Sequence, residues 1–102
     1  MPIELNESNF YQTIKNTDGL VLVDFHAPWC GPCRMLSPIL EKLQNVQVVK
    51  VNGDDNQNLV TEEAITAYPT IVFYRNGQEI RRELGLRSLD QLQDIVDEHN
   101  GG

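Results

Sequence analysis

Trp29-Cys30-Gly31-Pro32-Cys33 holds both cysteines of this 102-residue chain. An apolar run, Leu20 to Phe25, leads into it, and a helical pattern, Arg34 to Leu43, leads out of it. The pair is therefore expected on a strand-to-helix turn, at a helix N-terminus. Residues three apart over one helical turn bring their Cα atoms within the span of a disulfide. At the N-cap, Cys30 faces helical N–H groups that lack intrahelical acceptors, at the positive end of the helix dipole. That setting favours the thiolate, which is the nucleophile. Cys33 lies about one turn in and is the natural resolving thiol. Pro32 suits a first turn, where a missing N–H costs little.

The longer stretch Val23-Asp24-Phe25-His26-Ala27-Pro28-Trp29-Cys30-Gly31-Pro32-Cys33-Arg34-Met35 resembles the active-site signature of the thioredoxin family. A bare C-x-x-C says little; W-C-G-P-C between an apolar strand and a Pro-containing helix says much more. The resemblance implies an α/β thioredoxin fold, a mixed five-stranded sheet flanked by four helices. It also implies a protein-disulfide reductase whose Cys30–Cys33 pair cycles between dithiol and disulfide through a mixed disulfide. Its partners would be disulfide-bearing client proteins and an NADPH-dependent flavoprotein thioredoxin reductase. No G-x-G-x-x-G loop is present, so no dinucleotide is expected on this chain. The redox-active disulfide is its only redox group.

Composition bounds the rest. The length suits one domain over residues 1–102 with a core that needs no staples. Eight basic against 15 acidic residues leave a net charge of -7, which argues against binding nucleic acid through its phosphates. No apolar run approaches the ~20 residues of a membrane span. Met1-Pro2-Ile3-Glu4 has no basic region or apolar core of a signal peptide. Two cysteines are too few for a disulfide scaffold, and a cytoplasmic protein with a working dithiol fits better; a monomer is expected.

Taken in order, Ile3 to Leu5 is a short strand, and Asn6 caps a helix from Glu7 to about Asn16, with Leu5 and Phe10 as a hydrophobic staple. Leu20 to Phe25 reads as a central strand covered on both faces. In the helix after the dithiol, Leu36, Ile39, Leu40 and Leu43 share a face, and Pro38 is expected to kink it. Val46 to Val51 is a strand, Asn58 to Ala64 a short helix, and Thr70 to Tyr74 a strand. Asn76-Gly77 predicts a hairpin to a return strand, Gln78 to Leu84, broken by Gly85. Ser88-x-x-Gln91 is a capping box for a last helix to about His99, with Leu89, Leu92, Ile95 and Val96 inward. Asn100-Gly101-Gly102 reads as a frayed end. Crossovers and one hairpin imply a mixed sheet with helices on both faces.

Each site candidate has a plainer competitor. Cys30 and Cys33 as half of a zinc site would need two further ligands, and only His26 and the distant His99 remain among the imidazoles. As a permanent bridge they would close too small a loop to stabilise much. Asp24, a carboxylate inside an apolar run, is either a buried acid held by Lys50 or the proton acceptor and donor for Cys33. The resemblance implies the second, with Lys50 as its partner. Tyr68-Pro69 resembles the family's cis-proline loop, which lies against the dithiol and receives substrate backbone by strand-like hydrogen bonds. Gly85 matches the family's glycine beside the dithiol, or simply ends a strand. Trp29, with Gly31 and Pro32, supplies contact surface for partners, or plain packing.

Four features depart from the family pattern: His26 in place of a second Trp, Pro28, a short helix after the dithiol, and Gly53 at a strand end. They bear on redox potential, stability and partner choice. A dithiol oxidase or isomerase on the same fold, or a reduced subunit of a larger assembly, stays open beside the reductase; the Gly31-Pro32 dipeptide is of the reducing type. For His26, an imidazole N–H in place of the indole predicts a hydrogen bond to Asp54, beside the dithiol; the alternative is a histidine without a partner.

Overall fold

The structure is a computed structural model, and it describes residues 2–100. The elements run β1 (Ile3–Leu5), α1 (Phe10–Asn16), β2 (Leu20–His26), α2 (Gly31–Leu40), β3 (Gln47–Asn52), α3 (Gln57–Glu62), β4 (Thr70–Arg75), β5 (Gln78–Leu84) and α4 (Leu89–Asn100). This is the β-α-β-α-β-α-β-β-α order expected from the sequence. The five strands form one sheet in the order β1-β3-β2-β4-β5. β3 pairs in parallel with β1 and β2, while β4 pairs antiparallel with β2 and β5.

Strand alternation divides the core in two. Val21, Val23 and Phe25 of β2 join Phe10 and Ile14 of α1 and Leu59 of α3 on one face. Leu20 and Leu22 join Leu36 and Leu40 of α2 and Leu92, Ile95 and Val96 of α4 on the other. Burial on both faces explains why β2 and β4 read as apolar runs. By the same alternation Asp24 and His26 fall on the α2/α4 face.

Most local signals operate as written. Asn76 and Gly77 turn the hairpin with φ of 54° and 80°. The Ser88 hydroxyl accepts from the Gln91 N–H at 3.1 Å while the Gln91 side-chain carbonyl accepts from the Ser88 N–H at 2.9 Å, the reciprocal capping box.

Two helices have other bounds than expected, α1 at its start and α2 at its end. Asn6 does not cap a helix from Glu7. Its carbonyl accepts from the N–H groups of Asn9 and Phe10, its side chain from that of Ser8, and a separate turn results. Helix α1 starts only at Phe10, with Asn9 as N-cap. Leu5 and Phe10 still share the apolar cluster, but Phe10 stands at the first helical position rather than the fourth. Glu7 instead accepts from the Asn58 N–H at 2.8 Å, giving α3 a cap from outside its own segment. Helix α2 starts at Gly31 with Cys30 as its N-cap, as expected, but ends at Leu40, two residues beyond Pro38 and short of the expected Leu43. Leu43 follows it and packs on the α2/α4 cluster. Of the expected frayed end, Asn100 closes α4, and Gly101 and Gly102 lie outside the described residues.

Candidate active site

β2 ends at His26, and the chain crosses the end of the sheet to open α2. Cys30 occupies the N-cap in an extended conformation, and its sulfur accepts from the Cys33 N–H at 3.2 Å. One orphan helical donor is thus aimed at the sulfur that the sequence marks as nucleophile. The Cys30 N–H donates to the Ala27 carbonyl at 3.2 Å, and the Arg34 guanidinium donates to the Pro28 carbonyl at 2.9 Å, which ties the loop to the first helical turn. Cys30 and Cys33 are joined as a disulfide with Cα atoms 5.3 Å apart. In this oxidised form both are equally enclosed, each 4% exposed, and they pack with Ala27 and Tyr68.

The Tyr68–Pro69 peptide is cis, as the resemblance implied. The Pro69 carbonyl accepts from the Gly85 N–H at 2.8 Å, and Gly85 has a φ of 84° that favours glycine. Trp29 is 66% exposed, yet its position is fixed. Its indole N–H donates to Asp54 at 2.9 Å, and its ring meets Tyr68 edge-on with centroids 5.8 Å apart. Pro32 is exposed, and Gly31 leaves open space where a side chain would stand. Gly53, odd in the sequence, now has a reason. A Cβ there would overlap the hydroxyl end of the Tyr68 side chain, so the missing side chain is what seats the tyrosine.

Asp24 has no exposed surface, and neither carboxyl oxygen has a hydrogen-bond partner among the described residues. Lys50, its register neighbour on β3, holds its ammonium 4.0 Å away and donates to the Ser37 hydroxyl at 3.3 Å. Ser37 follows Cys33 by one helical turn, so the two share one stripe of α2, and Ser37 ties that stripe to Lys50. Burial pushes the Asp24 carboxyl up to about 7; Lys50 pulls it down and Glu4 pushes it further up.

The expected His26–Asp54 bond does not form. Asp54 is carried past the strand end by the turn at Gly53 and meets the Trp29 indole instead. His26 points along the sheet face toward β1, where its Nε2 lies 3.2 Å from a Glu4 carboxylate oxygen. The sequence also left Ser37 and Glu4 out of the site. Only strand pairing, which sets Glu4 opposite Lys50, could have brought Glu4 in.

A dithiol–disulfide pair at the first turn of α2, facing a cis-proline loop on this sheet, defines a thiol-disulfide oxidoreductase with a thioredoxin-type fold. The Thioredoxin family model matches residues 1–98. A thioredoxin of Haemophilus influenzae is 34% identical, the alignment covering 95% of each chain, and one of Chlamydia caviae is 40% identical over 80% of this chain and 84% of its own. The solved structure of a mutant thioredoxin from Halobacterium salinarum superposes with a TM-score of 0.89 at 29% identity, covering 96% of this chain and 89% of that one. The chain belongs to the thioredoxin family. Its activity is protein-disulfide oxidoreduction on disulfide-bearing clients, by cycling of Cys30 and Cys33.

Proposed function

We propose that the chain works as a general disulfide reductase with divided roles in the site. The Cys30 thiolate attacks a client disulfide, forming a mixed disulfide and releasing one client thiolate. The Cys33 thiolate then attacks the Cys30 sulfur, the mixed disulfide breaks, and the second client sulfur leaves as thiolate. Two electrons pass to the client, and Cys30–Cys33 is left oxidised. Asp24 takes the Cys33 proton before that second step, and Lys50 makes the carboxylate tolerable.

The observation that carries this reading is the Cys33 N–H directed at the Cys30 sulfur from the helix start. It supports a stabilised Cys30 thiolate in the reduced protein. Trp29, Gly31, Pro32, Tyr68, Pro69 and Gly85 form the rim on which client backbone docks. An NADPH-dependent flavoprotein reductase returns the two electrons. The working form is a monomer of one domain, residues 1–102, in the cytoplasm. Among the described residues no helix is long and apolar enough to cross a membrane.

The test is reduction of an exposed protein disulfide with dithiothreitol as electron source. Cys33→Ser should trap a covalent client adduct on Cys30, and Cys30→Ser should trap none. Adducts on Cys33 instead would reverse the assignment. A Cys30→Ser, Cys33→Ser double variant that keeps its cellular role would make the protein a binding subunit rather than a reductase.

A further inference from the structure

Glu4, Lys50 and Asp24 form a row across three neighbouring strands. Glu4 is the register partner of Lys50 on one side, and Asp24 on the other. Register partners point to the same face, so two carboxylates flank one ammonium on the α2/α4 side of the sheet. The ammonium is turned inward: it donates to Ser37 and faces Asp24. Glu4 does not close on it. Its carboxylate reaches past β3 to His26 on β2, where the two oxygens lie 3.4 and 3.2 Å from Nε2. The imidazole is mostly buried and the Glu4 carboxylate half-exposed.

The distribution matters because Asp24 has no other donor among the described residues. Lys50 and Glu4 are the charges that act on it, with opposite signs. From β4 its register neighbour is Ile71, and α2 enters through the Ser37 hydroxyl, which accepts from the Lys50 ammonium. Any shift of Glu4 onto Lys50 would divide the ammonium between two carboxylates and leave the buried one less well compensated.

We propose that His26 and Glu4 are a positioning pair for the Asp24–Lys50 couple: the imidazole holds the Glu4 carboxylate off Lys50 and so reserves the ammonium for Asp24 during proton transfer with Cys33. The proposal rests on the role given to Asp24 above. It assigns a task to the histidine where this sequence leaves its family's pattern.

The test is a carbon NMR titration of the Asp24 carboxyl in the reduced, isotope-labelled protein, paired with the pH profile of mixed-disulfide resolution. Removing the like charge with Glu4→Gln should lower the Asp24 midpoint by roughly half a pH unit. His26→Ala should raise it by a similar amount, since Glu4 is then free to take Lys50. The double variant should follow Glu4→Gln, because His26 acts only through Glu4. His26→Leu, which keeps apolar volume, repeats that arm should His26→Ala not fold. The resolution profile should move in step with the midpoints. A midpoint that ignores His26, or moves equally with Glu4→Gln already present, overturns the positioning pair while Asp24→Asn still slows resolution. Midpoints that shift with no change in resolution overturn Asp24 as proton acceptor, and the proposal with it.

Discussion

Asp24 has no exposed surface and, among the described residues, no compensation but a cation 4.0 Å away. Its carboxyl, at about 7 in the folded protein against 3.8 ordinarily, makes the folded state the tighter proton binder between those values. Stability from this group is therefore full below about pH 4, falls as pH rises, and is lost above 7. Asp24→Asn should consequently stabilise the protein at pH 8 by something on the order of 2–4 kcal/mol, less whatever Lys50 loses with its partner, and by little at pH 4. Urea melts at the two pH values measure this; equal gains at both would place the benefit outside ionisation. The same variant should turn over clients more slowly near neutral pH, because Cys33 then lacks its acceptor. For the cysteines, equal enclosure in the disulfide gives way to unequal chemistry on reduction. Limited iodoacetamide followed by mass spectrometry should find Cys30 modified first, and preferential labelling of Cys33 would reverse the roles.

At the scale of elements, what the sequence disclosed and what it hid divide by range. Strand β2, the hairpin at Asn76-Gly77 and the Ser88–Gln91 box are written in neighbouring residues, so they could be read directly. The start of α1 could not, because Glu7 is engaged by α3, 51 residues away. The dithiol likewise declared itself within five residues, whereas the partner of His26 is set by strand order, with β1 and β2 on either side of β3, and those of Trp29 and Gly53 by how loops cross the sheet end. Gly53 and Tyr68 make the testable case. A methyl group on Gly53 must displace a ring that packs on both Trp29 and the dithiol. Gly53→Ala alone should be destabilising and should slow client reduction. Tyr68→Ala frees the same space, so adding Gly53→Ala to it should cost much less. A double-mutant cycle by denaturant unfolding should give a coupling of roughly 1–3 kcal/mol, and additive costs would mean that the two residues do not share that space.

Across the whole molecule, the sheet keeps two apolar clusters apart, yet β2 and β4 contribute side chains to both. Neither face can open without exposing strands that the other face needs. α1 and α3 seal one side and α2 and α4 the other, so a lesion on either side should weaken one common transition. Ile14 and Leu92 are suitable probes, each buried, one on α1 and one on α4. Ile14→Ala and Leu92→Ala should each lower stability by roughly 2–5 kcal/mol, the transfer loss plus the cavity left behind. The sole tryptophan, Trp29, sits at the sheet end beside the dithiol and reports on the site by fluorescence, while far-ultraviolet circular dichroism reports on all elements. With the disulfide intact, the two signals should give coincident urea midpoints in the parent and in both variants. A Trp29 signal that stays native while Ile14→Ala has already lost helical ellipticity would show that the two faces unfold separately, and the shared strands would then not be what couples them.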